Sequence, residues 1–186
     1  MRIAETDFIL IPEWLTQSGS QQTGNPQFDP DDDHWISRWQ RSIASASWLE
    51  TSQGSPEDAL VTQCAALNRP IVIVTHGHGI EVLLAATSDL AKTPIAGAFI
   101  VAPSGEEERL ANAASASQPL PYPSVIVAPD DHPVLPSEAA ERLAQNLGGH
   151  YVAAGTAGRL DAHSGHGPWP DGLMRLGWFL KRLGAH

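Results

Sequence analysis

Pro70-Ile71-Val72-Ile73-Val74-Thr75-His76-Gly77-His78-Gly79, followed by the apolar segment Ile80 to Leu90, decides the fold. Six residues of β-branched and apolar character with no polar alternation predict a strand buried on both faces, as in a parallel sheet. Two glycines then force a tight turn, and the apolar segment behind it reads as a helix. Strand, turn and helix in direct succession are the unit from which an α/β sheet is wound.

Working outward, the same alternation repeats. Upstream, Asp7-Phe8-Ile9-Leu10-Ile11 reads as a buried first strand and Ile43 to Leu49 as a second. Between them, residues 16–33 form a long polar loop rich in Gln, Ser, Gly and Asp. It ends in Asp31-Asp32-Asp33, acids that suit the start of a helix at His34-Trp35-Ile36-Ser37-Arg38-Trp39. Ser55-Pro56-Glu57-Asp58 supplies an N-cap, a first-turn proline and acids for a helix running to about Asn68. Downstream, strands are expected at Ala98 to Val101, Val125 to Val127 and His150 to Ala153. A helix from Ser137 to Leu147 closes on Gly148-Gly149. The last helix shows Leu173, Leu176, Leu180 and Leu183 on one face, with Trp178 in its apolar stripe. The fold class is α/β: one domain over residues 1–186, with a doubly wound, mainly parallel sheet and helices on both faces. In such a sheet ligands gather at the carboxyl ends of the strands.

Composition narrows the function. The 186 residues carry a formal charge of −10, with 42% hydrophobic and 17% charged side chains. That is enough apolar material for a core, and the acidic balance argues against a nucleic-acid or anionic-membrane surface, which needs clustered Lys and Arg. Lone Cys64 excludes a disulfide framework and a Cys-rich zinc site; its place among Ala and Leu predicts burial. No stretch approaches the roughly 20 apolar residues of a membrane helix. Met1 to Asp7 lacks the basic start of a secretory signal, so a cytoplasmic protein is expected.

The chemistry is concentrated after the strands. Thr75-His76-Gly77-His78-Gly79 has the frame of a nucleophile elbow, G-x-S-x-G, in the strand–turn–helix context that motif requires. Its serine is absent. Gly77 meets the backbone demand of such a turn without strain but offers no hydroxyl, and its bland reading is a glycine that eases a sharp corner.

Four stretches, in order, carry a resemblance to the small serine-hydrolase family of retinoblastoma-binding protein nine and the bacterial YdeN proteins, compact α/β-hydrolases without a large lid. They are the first strand ending Ile11-Pro12; His34-Trp35-Ile36-Ser37-Arg38-Trp39, similar to the family's H-W-Q-x-x-W; the elbow; and Gly158-Arg159-Leu160-Asp161-Ala162-His163-Ser164-Gly165-His166-Gly167-Pro168-Trp169-Pro170, similar to G-H-I-N-A-x-S-G-x-G-x-W-P. The resemblance implies a Ser, Asp, His triad in chain order. Carried over, the serine position is Gly77 and the histidine position is Arg159. The acid, in a D-P pair after the penultimate strand, falls on His132 in Asp130-Asp131-His132-Pro133, or on Asp131 after a one-residue shift. The family's glycine after the first strand, near the oxyanion hole, is Glu13 here, followed by Trp14.

Triad chemistry needs a nucleophile, a base within reach of it and an acid to orient that base. Glycine cannot attack a carbonyl, and Arg, with a pKa above about 12, cannot serve as a base near neutrality. The expectation is a serine-hydrolase-like chain that is non-catalytic or strongly impaired, with no cofactor, binding a small acyl or anionic ligand or a protein partner. Glu13, Trp14, His76, His78, Arg159 and Trp169 are the candidate pocket residues. Arg159 reads as an anion anchor, or as the partner of Asp130, Asp131 or Asp161 in a salt bridge. Trp35, Trp39, Trp169 and Trp178 read mostly as core. Two alternatives keep an active hydrolase: a metal-bound water held by His76, His78, His132, His163 and His166, or a rearranged nucleophile such as Ser164. Neither H-E-x-x-H spacing nor a strand before Ser164 supports them, and Arg159 would repel a cation.

Overall fold

Among the described residues six strands form one parallel sheet in the order β2-β1-β3-β4-β5-β6: β1 Asp7–Ile11, β2 Ala46–Trp48, β3 Ile71–His76, β4 Ile95–Val101, β5 Ser124–Ala128 and β6 His150–Ala153. The helices with described bounds include α1 Trp35–Ser42, α2 Pro56–Ala66, α3 Gly79–Ala86, α4 Ser137–Asn146 and α5 Pro170–Leu183. The computed structural model describes residues 1–13, 33–51, 54–105, 108, 110–112 and 119–185. Trp14, Asp31, Asp32 and, apart from Asp33, the loop expected over 16–33 lie outside the described residues.

Because side chains alternate along a strand, the sheet sorts its apolar residues into two layers. Ile9, Ile11, Ile71, Ile73, Ala98, Ile100 and Ile126 pack with Leu60, Cys64, Ile80, Leu83, Ala140 and Leu143 of α2, α3 and α4. Phe8, Leu10, Val72, Val74, Phe99, Val101, Val125 and Val127 pack with Trp35, Ile36 and Trp39 of α1 and Leu176, Phe179 and Leu180 of α5. Both layers are closed, so the doubly wound reading holds. Cys64 is fully buried, and burial pushes its thiol up to about 12.

The predicted caps are realised. The Ser55 hydroxyl accepts from the Asp58 amide at 3.3 Å, and Gly148 takes φ +67° at the end of α4, donating to the Gln145 carbonyl. Elsewhere the boundaries move. The N-cap of α1 is His34, whose Nδ1 accepts from the Ile36 amide at 3.2 Å, while Asp33 pairs with Arg38 at 2.8 Å. The helix after the elbow stops at Ala86 and a 3-10 turn, Asp89–Lys92, completes the expected span to Leu90; β4 begins at Ile95 rather than Ala98.

In α5 the expected leucine stripe is corrected. Leu173 and Trp178 are 40% and 45% exposed, and the buried face is Gly172, Leu176, Phe179 and Leu180. The reason is a close approach to β4. A Cβ on Gly97 would meet the Phe179 ring at 2.7 Å, so the helix seats on Phe179 and turns Trp178 outward, where Arg182 lies over its ring at 4.8 Å. No helix among the described residues is long and apolar enough to cross a membrane.

Candidate functional site

β2 and β4 lie on opposite sides of the β1–β3 pair, so the connections leaving β1 and β3 diverge, and the carboxyl ends of these two strands are where a sheet of this order places its site. Ile11 at the end of β1 stands beside Thr75 of β3, and His76 beside Val101 of β4. This register brings Glu13, two residues past β1, to the elbow that follows β3.

Gly77 has φ +57°, the left-handed region in which a side chain is strained. Its amide donates to the Val101 carbonyl at 3.1 Å, fixing the corner. A Cβ at this position would lie 2.7–2.8 Å from Cδ, Cβ and Cγ of Glu13. The Glu13 side chain therefore fills the space into which a residue at the elbow would project. A Cβ on Gly79 would strike the Ile11 carbonyl oxygen, so that glycine lets α3 start directly against β1.

Glu13 is held by an imidazole and a guanidinium. Its Oε1 lies 3.2 Å from His78 Nδ1 and 3.5 Å from Arg159 Nη1, and its side chain is only 15% exposed. Arg159 is reached from the loop after β6, whose backbone is pinned at several points. His76 Nε2 lies 3.0 Å from the Arg159 carbonyl; since a carbonyl only accepts, Nε2 carries the proton. Trp35 Nε1 donates to the Leu160 carbonyl at 2.7 Å. Asp131 Oδ1 accepts from the Ala157 and Gly158 amides at 2.8 and 2.9 Å. Those two donors, Gly158 first, hold the Asp131 carboxyl below the usual carboxylate range.

His132 is buried, with Nδ1 accepting from the Leu135 amide at 2.9 Å and the Val134 amide at 3.3 Å. A ring nitrogen that accepts is deprotonated, so the neutral imidazole carries its hydrogen on Nε2. That Nε2 is buried and has no hydrogen-bond partner among the described residues. Burial pushes the imidazole down from its ordinary value; among the neighbouring charges Arg159 acts most strongly, in the same direction, and Glu13 opposes it.

His76 and His34 sit together, ring centroids 4.8 Å apart, with Trp35 edge-on to His76 at 5.6 Å. Burial pushes both imidazoles down to about 4, so both are neutral at pH 7. Trp169 is corrected from candidate pocket residue to core. It is 6% exposed, stacks on Trp39 at 6.0 Å and meets Trp35 at 5.1 Å, and a Cβ on Gly172 would run into its ring.

Ser164 is committed within its own loop. Its hydroxyl donates to Asp161 Oδ1 at 2.7 Å and accepts from the Arg159 amide at 3.1 Å. Burial raises the Asp161 carboxyl, but the Ser164 hydroxyl and amide outweigh it and the net shift is downward. His163 is exposed, and His166 Nδ1 lies 3.0 Å from the Ser164 carbonyl. Among the described residues no group of three or more His, Cys, Asp or Glu is placed to hold a metal ion.

The geometry thus brings Gly77, Glu13, His78 and Arg159 into contact and sets His132 in the field of Arg159 and Glu13. The sequence missed one element of this: the anion paired with Arg159 is Glu13, from the first strand's loop, not an Asp near it in the chain. The departure at Glu13 was the available signal, but only the β1–β3 adjacency converts it into a contact.

A search of curated proteins returned no match. Among solved structures, one described as a YdeN-like hydrolase from Pectobacterium atrosepticum superposes with a TM-score of 0.75 at 25% identity, over 97% of this chain and 93% of that one. The family model for serine hydrolase matches residues 28–178, a span that includes the elbow, the Asp131-His132 turn and the Arg159 loop. With the sheet order, the left-handed corner at Gly77 and that match in agreement, this chain belongs to the serine hydrolase family.

Proposed function

We propose that the chain is a serine-hydrolase homologue whose cleft no longer performs acyl transfer and instead binds a small ligand or a protein partner. The observation that carries this reading is the pair Gly77 and Glu13. Where the elbow would present a hydroxyl there is glycine, and a carboxylate side chain occupies the space above it. Arg159, at the position the family resemblance gives to the histidine, is engaged by that carboxylate at 3.5 Å and cannot take a proton near neutral pH. The acid's position falls on His132, which presents a hydrogen-bond donor where the triad needs an acceptor, or on Asp131, whose Oδ1 is taken up by the Ala157 and Gly158 amides. With nucleophile and base both gone, only binding and residual electrostatics remain, and these give little turnover.

Release of p-nitrophenol from p-nitrophenyl acetate and butyrate tests the proposal. Expected is a rate at the level of a heat-denatured sample, with and without chelator. Saturable turnover lost on Ser164→Ala, or abolished by chelator, would instead establish one of the two active-hydrolase alternatives.

A further inference from the structure

A cleft emptied of its nucleophile still has donors that call for an anion. Arg159 offers five N–H groups. Among the described residues its one ion pair is with Glu13, at 3.5 Å, well beyond the 2.7–2.9 Å of a tight charge-assisted contact. Its side chain is 40% exposed, so the guanidinium is reachable from solvent. His132 is the second observation. The residue is 6% exposed, its Nδ1 is satisfied twice by backbone amides, and its Nε2–H is left without an acceptor among the described residues. A buried donor without an acceptor is destabilising, and an acceptor supplied by a ligand would relieve it. Asp131, the residue before His132, accepts from the Ala157 and Gly158 amides that lead into Arg159, so cation and neutral donor belong to one neighbourhood.

Resting on the reading of the cleft as a binding site, we infer that it takes a small monocarboxylate, one oxygen on the Arg159 guanidinium and the other on the Nε2–H of His132. A monoanion is preferred to a dianion. Arg159 is the cation here and Glu13 already offsets it, so a second negative charge, as on phosphate, meets only further repulsion from Glu13, Asp131 and Asp161. A planar group with two acceptor oxygens matches a guanidinium fork and a single further donor. Glu13, whose carboxylate already lies against Arg159, is the internal competitor: the site is partly self-occupied, and an incoming carboxylate must displace it.

The test uses the full chain with butyrate, inorganic phosphate and butylamine as probes, with dissociation constants from NMR titration. Butyrate should bind, and phosphate and butylamine should bind at least about tenfold more weakly, as expected when one charge-assisted contact is lost. Arg159→Gln should weaken butyrate about tenfold or more, whereas Glu13→Gln should tighten it several-fold by removing the competing charge. A circular-dichroism melt of each variant checks that the fold survives. Because Glu13→Gln predicts a gain, a variant that merely damaged the protein could not imitate it. Butylamine binding better than butyrate, phosphate equal to butyrate, indifference to Arg159→Gln, or no butyrate binding to either wild type or Glu13→Gln would overturn the inference. Ester turnover would sink the binding-site reading alone, and absent carboxylate binding without turnover would sink this inference alone.

Discussion

At Gly77 two requirements meet. The corner needs a left-handed residue, and the neighbouring volume is already filled by Glu13. A serine placed there would overlap three carbons of Glu13, so serine at 77 and glutamate at 13 exclude one another in this geometry. Gly77→Ser alone should therefore cost about 1–3 kcal/mol in urea unfolding, from overpacking plus left-handed strain, and yield no esterase. Adding Glu13→Gly should recover most of the stability. Any gain of activity should need Arg159→His as well, since a hydroxyl without a base remains a weak nucleophile. A stable, active Gly77→Ser single variant would contradict the placement of Glu13. Much at this scale was legible in the sequence: the elbow frame needed only its spacing and the strand before it. That Arg159 pairs with Glu13 was not legible, because the two are joined by strand order rather than by proximity in the chain.

Helix α5 shows what a periodic pattern can and cannot say. The leucine spacing located the helix, but leucines alone did not fix which face is buried, because small residues decide how closely a helix can approach. Gly172 lies against the Trp169 ring and is buried; Gly177 is exposed, with open space where a methyl would project. The two positions therefore predict opposite outcomes for the same substitution. Gly172→Ala should destabilise by about 1–3 kcal/mol, since the methyl must displace the indole that stacks on Trp39. Gly177→Ala should stabilise by about 0.5–1 kcal/mol, through helix propensity alone. Midpoints and slopes of denaturant curves for both variants check this pair. The strands were easier to read, because β-branched runs buried on both faces admit few alternatives. The ends of β4 and α3 shifted because a 3-10 turn between them takes up residues that helical periodicity alone assigns to the helix.

For the molecule as a whole, acid should act through histidine before it acts through carboxylates. His34 and His76 sit at about 4 in the folded chain against an ordinary 6.5, and His132 is lowered too. The unfolded chain takes up protons over this interval that the folded chain refuses, so stability falls as pH drops from about 6.5 to about 4. The loss is at most about 3 kcal/mol for each of His34 and His76. Below pH 4 those two imidazoles contribute no further slope. Asp131 and Asp161, held below their ordinary range, add a second decline there as they become protonated. Thermal melts between pH 7 and 4 should show a falling Tm, and His76→Asn, which can still donate to the Arg159 carbonyl, should flatten the fall. A Tm that stays level to pH 4 would mean these imidazoles are not held neutral.

The proposal that acyl transfer has been lost is tested most directly by incubating the purified protein with a fluorophosphonate, which traps activated serines, and measuring the intact mass. The unmodified mass is expected after an incubation that fully labels an active serine hydrolase in parallel. A stoichiometric adduct on any serine of this chain would contradict it.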